Sequence, residues 1–347
     1  MKALTPAAGT AVMATGILSA GLDLTGYRAL AGVALLFAGA LWAAFAATFA
    51  VRLVCGTEQW RHDAMTPAAL TAVASTCVLS TCLSLEGWRV LAAVALALSA
   101  ALWPVLLVPV VHGWGRRLPG VVFLVCAATQ SLAVGACTLA LLQGARWLCW
   151  ASLVLFGPGV ALYGLALAHF DRREVRTGAG DHWVAGGALS ISTLAGAKLT
   201  DACDPRGPLG WLPVLHGPLR TVTLVLLVGS LAWLPVLVYA EARWPRARYD
   251  IRRWATVFPL GTTAVTCLVV AATAGLPAVE TLGRVLLWIA VTLWLLTAVG
   301  AARQGDRGAP PARVTAAVPA TGSRPGSRES PADHRAFVAG RDRAAQG

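Results

Sequence analysis

Charged side chains are scarce in this sequence. Of its 347 residues only 13% are Asp, Glu, Lys or Arg, whereas 57% are hydrophobic. Soluble globular proteins carry about 25% charged residues, so this composition excludes an ordinary soluble domain and indicates a membrane protein. Lysine occurs only at Lys2 and Lys198, so the net charge of +12 comes from arginine. The arginines lie in loops and in the C-terminal segment, which is typical of a cytoplasmic membrane face and not of a nucleic-acid-binding protein.

Motifs for metal binding or membrane-embedded catalysis are lacking as well. The eight cysteines form no CxxC pair and have no histidines at ligand spacing, so neither a zinc site nor a disulfide framework is expected. Asp201 and Asp204, in the segment DACD, have no second aspartate-rich partner, and a loop role is the simpler interpretation. The sequence therefore predicts no metal, no cofactor and no enzymatic activity.

Long hydrophobic runs are abundant. A helix that crosses a membrane needs about 20 apolar residues, and ten segments qualify, although the first and the seventh are slightly short. They are residues 6–24, 29–51, 67–85, 90–111, 120–142, 147–169, 183–200, 217–240, 254–274 and 280–300. Residues 301–347 are rich in Gly, Pro, Ala and Arg, and are predicted to be a disordered, basic cytoplasmic tail. The expected organisation is thus a ten-helix transmembrane domain over residues 1–300, followed by this tail.

Lysine and arginine are divided unequally between the two ends of the predicted spans. With alternate loops placed on opposite sides of a membrane, one side collects 21 of these residues, including Lys2 and the tail, and the other side collects seven. Cytoplasmic loops carry the excess of positive charge. We therefore expect a multi-pass cell-membrane protein with both termini in the cytoplasm.

Two-span units repeat along the chain. Residues 3–42 match residues 64–103 at 23 of 40 positions without a gap, and the ninth span begins with a similar pattern around Pro259 and Thr263. The abundance of Ala and Leu in the sequence does not explain matches at one fixed offset of 61 residues. The repeating unit is therefore a helical hairpin of two spans. Five such hairpins inserted in one orientation favour a ring.

Hydroxyl and amide side chains are concentrated in the odd-numbered spans. Such groups are disfavoured against lipid and turn toward protein or water. Two interpretations are open: the residues line a central path, or they join helices to one another. The candidate path-lining residues are Thr10, Thr15, Thr71, Ser75, Gln130, Ser190, Thr262 and Thr263. Gln130, an amide inside an odd span, could donate to a passing carboxylate or tie two helices together.

Basic residues near one end of the spans are candidates for attracting anions. Lys198 lies near the end of the seventh span, where it either faces a path or extends to lipid headgroups. An arginine also recurs near the start of each even span, where it either lines a vestibule or anchors to lipid phosphate. These arginines are Arg28, Arg89, Arg146, Arg220 and Arg284.

The sequence resembles the tellurite-resistance/dicarboxylate transporter family, which includes TehA-like proteins, slow-type anion channels and malate permeases. The resemblance covers about residues 4–300 and is carried by TPAAGTAVMATGIL in the first span, WVAGGALSISTLAGAKL in the seventh and RRWATVFPLGTTAV at the ninth. It implies an all-α membrane protein whose ten helices form a quasi-fivefold ring. In that ring the odd helices are inside around an anion pore, the even helices are outside, and the protein assembles as a homotrimer.

The resemblance also assigns roles to individual residues. It implies that Phe258, followed by Pro259, occludes the pore, since a bulky apolar ring in a narrow pore excludes water and ions. For an isolated phenylalanine, simple packing is the alternative. Prolines bend odd helices of the family, which implies kinks at Pro6 and Pro67 here. The fifth and seventh spans depart from this pattern because they contain no internal proline.

Passage of small anions through a membrane is the function that these features favour. The alternative within transport is a proton-coupled carrier of malate-like C4-dicarboxylates, which needs a titratable group inside the membrane; the odd spans offer Lys198. The alternative of another class is an integral-membrane transferase. Such an enzyme needs clustered His, Asp or Glu near one membrane face, and the sequence has no such cluster.

Overall fold

The computed structural model describes residues 9–55, 65–115, 118–171, 173–177, 180, 182–244 and 253–306. Within these residues, each predicted span corresponds to one long helix. The helices are α1 (Gly9–Leu24), α2 (Arg28–Cys55), α3 (Thr71–Leu85), α4 (Arg89–His112), α5 (Leu124–Gln143), α6 (Arg146–His169), α7 (Trp183–Ala202), α8 (Pro213–Arg243), α9 (Trp254–Ala274) and α10 (Pro277–Asp306). The last helix ends at Asp306 and not at residue 300. Pro6 and the predicted tail beyond residue 306 lie outside the described residues.

Most of these helices are long and apolar enough to cross a membrane. Eight of them meet both criteria within the described part of the chain; α1 is apolar but has 16 described residues, and α7 is not among the eight. Helix α7 carries Lys198, Asp201 and four hydroxyl side chains, and 18 of its 20 residues are buried in the protein. A helix shielded by other helices does not need a lipid-compatible surface, which explains its lower hydropathy.

Glycine closes four of the five hairpins. Gly26, Gly87, Gly144 and Gly275 have φ values of 89°, 82°, 69° and 69°, in the left-handed region where a side chain is strained. The first two turns are alike in detail, because the amide of Tyr27 donates to the carbonyl of Leu22 (2.9 Å) and that of Trp88 donates to Leu83 (2.8 Å). These pairs are 61 residues apart, so the sequence repeat is also a structural repeat.

Burial separates the odd-numbered helices from the even-numbered ones. The apolar windows of the spans containing α3, α5 and α9 are 83%, 94% and 89% buried, whereas those of the five even helices are only 22% or 28% buried. Each odd helix packs against two others, in the cyclic order α1, α3, α5, α7, α9 and back to α1. The odd helices thus form the interior of the bundle, and the even helices cover them.

Two hydrogen-bond patterns recur at repeat-equivalent positions. Within the first two hairpins, the hydroxyl of Ser19 donates to the carbonyl of Ala31, and the hydroxyl of Ser80 donates to that of Ala92. Between hairpins, the indole N–H of an even helix donates to a threonine hydroxyl of the next odd helix. These donor–acceptor pairs are Trp42–Thr76 (2.8 Å), Trp103–Thr129 (2.9 Å) and Trp294–Thr15 (2.9 Å). The last pair joins the last of the described helices, α10, to the first, α1.

Proline positions differ between the odd and even helices. Pro259 lies inside α9, whereas Pro67 is the first residue of a 3₁₀ turn that runs directly into α3. A proline at the first helical position is accommodated without bending the helix interior. Most internal prolines of the described helices are in the even ones, at Pro104, Pro109, Pro158, Pro218 and Pro235.

The loops that precede α5 and α7 are bonded to each other. The amide of Leu118 donates to the carbonyl of His169 (2.9 Å), and the amide of Asp171 donates to that of Leu118 (3.1 Å). The amide of Gly120 in addition donates to the Glu174 carboxylate at 2.7 Å. Both loops follow even helices, and these bonds hold them at the same end of the bundle.

Candidate functional site

A narrow cavity lies between the five odd helices. Its lining includes side chains from α1, α3, α5, α7 and α9, and its volume is about 40 Å³. One water molecule needs about 10–15 Å³ of such space, so the cavity has room for roughly three. Most lining residues lie in the second half of their helices, so the cavity is displaced toward the end at which α1 turns into α2.

Repeat-equivalent residues face this cavity. From α1 they are Ile17, Ala20 and Leu24, and from α3 they are Val78, Thr81 and Leu85, each 61 residues later. Spacings of three and four place the members of each set on one face of a helix. The duplicated hairpins therefore present the same helix face to the same space.

Lys198 is the one charged residue in the lining of this cavity. Its side chain is half-buried, and the rest of the lining is mostly apolar. A cation beside an apolar, water-poor space attracts anions more strongly than a cation in bulk water, because the local dielectric is lower. Lys198 thus lines the cavity, and its role in attracting anions stays a prediction.

Thr138 adds a polar group to the same cavity. Its side chain is 2% exposed, and its hydroxyl has no hydrogen-bond partner among the described residues. The other two hydroxyls in the lining are bonded to their own helices: Ser131 donates to Ala127 (2.7 Å) and Thr81 donates to Cys77 (3.0 Å). A buried hydroxyl without a partner is uncommon in proteins. Thr138 is therefore the lining hydroxyl that is available to donate to a ligand.

The hydroxyls predicted to line a path make other contacts. Thr15 accepts from Trp294, and Ser190 is hydrogen-bonded to Ser230 of α8 (2.6 Å) and to Thr263 of α9 (2.8 Å). Thr262 donates to the carbonyl of Phe258, four residues earlier. None of the eight candidates contributes to the lining of the cavity between the odd helices.

The remaining candidates on α1 and α3 are also close to other protein groups. Thr71 donates to Ala68 (2.7 Å), Ser75 donates to Ala72 (3.2 Å), and Thr10 is 9% exposed at the start of α1. A methyl group on Gly9 would lie 2.5 Å from the Thr71 hydroxyl, so α1 and α3 approach closely at this level. Small residues at such crossings allow helices to pack tightly.

Gln130 points toward an even helix. Its amide nitrogen donates to the carbonyl of Phe156 in α6 at 3.1 Å, and the side chain lies against Gly159 of the same helix. The side chain is fully buried. These contacts correspond to the interpretation in which Gln130 ties two helices together.

Phe258 lies on the first turns of α9, away from the cavity. Its side chain is 1% exposed and is among the largest fully buried side chains of the described residues. Pro259 packs against α7, since a methyl group on Gly187 would lie 3.0 Å from the proline ring. Val265 lines the cavity seven residues after Phe258, so Phe258 is about 10 Å farther along the helix axis, at 1.5 Å per residue.

The five recurring arginines all lie at the surface, and none lines the central cavity. Arg28, Arg89 and Arg146 are the first residues of α2, α4 and α6. Arg220 donates to the carbonyl of Ala274 at the end of α9 (3.4 Å), and Arg284 is paired with Glu280 at 2.9 Å. Their exposure is compatible with both alternatives, a vestibule and a phosphate anchor.

The cavity lining includes residues that sequence reasoning did not single out. Ile17, Val78, Val134 and Leu194 line the cavity but have the residue types of an ordinary core. The 61-residue repeat is the sequence signal that points to two of them, because Ile17 and Val78 occupy equivalent positions in the first two hairpins. Nothing in the sequence separates Thr138 from the many other hydroxyls of the odd helices, since its distinction is a hydroxyl with no hydrogen-bond partner among the described residues.

Comparison with known proteins identifies relatives of this chain. The sequence model of the SLAC1 family, described as voltage-dependent anion channel, matches residues 3–302. Two curated relatives from Mycobacterium tuberculosis are the uncharacterized membrane proteins Rv1735c (strain H37Rv) and MT1776 (strain CDC 1551). Each is 30% identical to this chain over 131 residues, which is 34% of this chain and 60% of the relative. The match thus spans well under the full length of these two proteins.

Proposed function

Because the chain belongs to the SLAC1 family of voltage-dependent anion channels, we propose that it conducts small anions through the space between its odd helices. The observation that carries this proposal is the central cavity, to which all five odd helices contribute and which contains Lys198 and the unpartnered Thr138. The lysine supplies a positive charge, and the threonine supplies a hydrogen-bond donor. Both groups are those that select anions in narrow pores.

We propose that the five hairpins form a quasi-fivefold ring around this path. The cyclic packing order of the odd helices supports the ring, as do the Trp294–Thr15 bond and the repeated cavity-facing positions. The path crosses the membrane along the ring axis, with both termini on the cytoplasmic side. We retain the homotrimer as part of the proposal, on family analogy.

Phe258 is the proposed gate. Its buried ring belongs to the innermost set of helices, about two helical turns from the cavity. The adjacent Pro259 removes one backbone donor from α9, and the hydroxyls of Thr262 and Thr263 bond to the carbonyls of Phe258 and Pro259. Bonds of this kind, from a side chain to the carbonyl four residues earlier, bend helices. The gate residue thus lies beside a proline and two side-chain bonds that bend the backbone of α9.

The size of the cavity favours inorganic anions over dicarboxylates. Space for roughly three water molecules accommodates a monatomic anion or one of a few atoms. A C4-dicarboxylate has two charged ends separated by a carbon chain, and it would need a wider cavity and a second basic group. The lining contains one such group, Lys198.

Flux measurements on the purified chain test the proposal. Liposomes containing the protein are loaded with chloride, nitrate or malate, and efflux is followed under a membrane potential, with and without an imposed pH gradient. We expect electrogenic flux of chloride and nitrate that exceeds malate flux and that persists without the pH gradient. Malate flux that requires the pH gradient would identify the proton-coupled carrier instead. Absence of flux of every anion would contradict transport and favour the transferase.

A further inference from the structure

Two cysteines meet inside the third hairpin, one on α5 and one on α6. Cys137 and Cys149 are both fully buried free thiols, and they share a side-chain hydrogen bond. Eleven residues separate them in the chain, so they do not have the CxxC spacing by which a sequence reveals a reactive pair. We propose that this pair is a redox modification site, at which a peroxide converts the two thiols into a disulfide.

The hairpin repeat explains why the two thiols face each other. Cys137 lies seven residues before the turn glycine Gly144, and Cys149 lies five residues after it. In the first two hairpins, the same positions relative to the turn glycine hold a serine and an alanine, and the serine hydroxyl donates to the alanine carbonyl. These donor–acceptor pairs are Ser19–Ala31 (2.9 Å) and Ser80–Ala92 (2.7 Å). Contact between these two positions is thus a property of the hairpin, and the third hairpin fills both of them with thiols.

A neighbouring hydrogen bond shows that α5 and α6 pack closely at this level. The hydroxyl of Ser152 in α6 donates to the carbonyl of Ala133 in α5 at 2.8 Å. These two residues lie about one helical turn deeper in the bundle than the cysteines. Because a serine side chain is short, its bond to the backbone of another helix requires the two backbones to approach closely. A disulfide has the same requirement, since its Cα atoms lie about 4.4–6.8 Å apart.

The burial of the pair restricts the oxidant to a small molecule such as hydrogen peroxide. Cys149 is the fourth residue of α6, so it lies about 4.5 Å from the helix start at 1.5 Å per residue, whereas Cys137 is six residues from the end of α5. Cys149 is therefore closer to the end of the bundle and is the thiol that is oxidised first. The peroxide transfers one oxygen atom to the Cys149 sulfur, which gives a sulfenic acid and one water molecule.

The second thiol then completes the disulfide. The sulfur of Cys137 attacks the sulfur of Cys149, the S–S bond forms, and the S–O bond of the sulfenic acid breaks. The hydroxyl group leaves with the thiol proton of Cys137 as a second water molecule. In total the two thiols lose two electrons and two protons, and the peroxide is reduced to two waters. Since the thiols are already in contact, this step needs no encounter between distant groups.

The site adjoins a residue of the central cavity. Thr138 follows Cys137 in α5, and its unpartnered hydroxyl lines that cavity. A disulfide would fix this turn of α5 to α6. Resting on the proposed function, the cross-link therefore shifts the half-saturating anion concentration for flux, whereas its formation does not depend on transport.

Peptide mapping of the purified full-length chain tests the site. The protein is treated with hydrogen peroxide at increasing concentration, the remaining thiols are alkylated, and the chain is digested with trypsin without a reductant. Trypsin cleaves after Arg146, between Cys137 and Cys149, so a disulfide joins two peptides that are otherwise separate. We expect peroxide to produce this cross-linked pair and dithiothreitol to separate it.

Two variants identify the cysteines involved. The double variant Cys137→Ser/Cys149→Ala recreates the serine–alanine pair of the first two hairpins, so it should fold with an unchanged unfolding temperature and form no cross-link. Cys126→Ser is the matched control, because Cys126 is equally buried in the same tryptic peptide as Cys137 but lies 3.5 Å from the Ser192 hydroxyl of α7. This variant should form the cross-link as the wild type does.

Three results of the mapping would overturn the inference. They are thiols of the folded wild type that stay reduced, oxidation that stops at a sulfinic acid without a cross-link, and a disulfide between Cys149 and the electrostatically coupled Cys203 at the end of α7.

Flux separates this inference from the proposed function. The wild type and the double variant are compared in liposomes before and after peroxide treatment. A shift of the half-saturating anion concentration in the wild type alone would support regulation through the pair, and equal behaviour of both would overturn that regulation. A disulfide in a chain without any anion flux would leave the redox site standing and contradict the channel. Flux in a chain that forms no disulfide would do the reverse.

Discussion

Removal of the Lys198 charge should weaken anion binding in the central cavity. The substitution Lys198→Gln keeps a polar side chain of similar reach but deletes the positive charge. A unit charge 4 Å from an anion contributes about 1 kcal/mol in bulk water and about 4 kcal/mol at an effective dielectric constant of 20. Lys198 is half-buried, so an intermediate value of about 2 kcal/mol applies, which corresponds to roughly thirtyfold in affinity.

The half-saturating anion concentration for flux in liposomes measures this effect at low ionic strength. We expect Lys198→Gln to raise it by roughly thirtyfold, and Lys198→Arg, which preserves the charge, to change it little. Arg146→Gln is the matched control, because Arg146 is exposed at the same end of the bundle but does not line the cavity. A half-saturating concentration that is the same in the wild type and in Lys198→Gln would refute the path-facing role of Lys198. Its side chain would then extend to the lipid headgroups, as the alternative interpretation states.

Three further predictions concern single groups. Thr138→Val preserves the shape of the side chain but removes the unpartnered hydroxyl. It should raise the half-saturating anion concentration for flux about tenfold without lowering the unfolding temperature. A lowered unfolding temperature with unchanged flux would contradict the role of this hydroxyl. Trp294→Phe deletes the bond to Thr15 and should cost about 0.6–1.7 kcal/mol of stability, and a double-mutant cycle with Thr15→Val should recover that coupling energy. Gly144→Ala, at φ 69°, should destabilise the protein by about 1 kcal/mol in detergent unfolding, whereas Gly157→Ala, inside α6 with open space around it, should not.

The helices were predictable because their signals are local and strong. Hydropathy located each span, and the repeat at an offset of 61 residues indicated the hairpin unit. The predicted segment 217–240 falls short of the observed Pro213–Arg243 at both ends, because Pro213 begins the helix at its first turn and Glu241 and Arg243 continue it beyond the apolar run. Within the described residues the predicted and observed helices otherwise agree to within a few residues.

The lining of the cavity was less predictable, for two physical reasons. An apolar residue such as Ile17 has the same character whether it faces a neighbouring helix or a narrow cavity. A hydroxyl in a medium of low dielectric bonds to the nearest acceptor, so Ser190 and Thr262 are bonded to protein groups despite their polar character. Lys198 was identifiable because it is one of only two lysines in the sequence and lies near the end of a predicted span.

The exposed face of the even helices has the composition expected of a lipid contact. Val33, Leu36 and Val54 of α2 are among its exposed large hydrophobic residues, at 64%, 71% and 79% exposure. In water such a surface would be an aggregation hazard. In a membrane, this apolar surface contacts the lipid acyl chains. The even helices therefore shield the polar groups of the odd helices and also hold the bundle in the bilayer.

Anion flux through the Phe258→Ala variant tests most directly whether the odd helices surround a path that this ring closes. Phe123→Ala is the matched control, since Phe123 is equally buried but packs against Tyr163 and Phe170. Both truncations should cost about 3–5 kcal/mol of stability, so folding is first verified by size-exclusion chromatography. We expect Phe258→Ala to raise chloride flux about tenfold or more, which corresponds to a barrier lower by about 1.4 kcal/mol, and Phe123→Ala to leave it unchanged. Equal flux in the wild type and both folded variants would contradict the account.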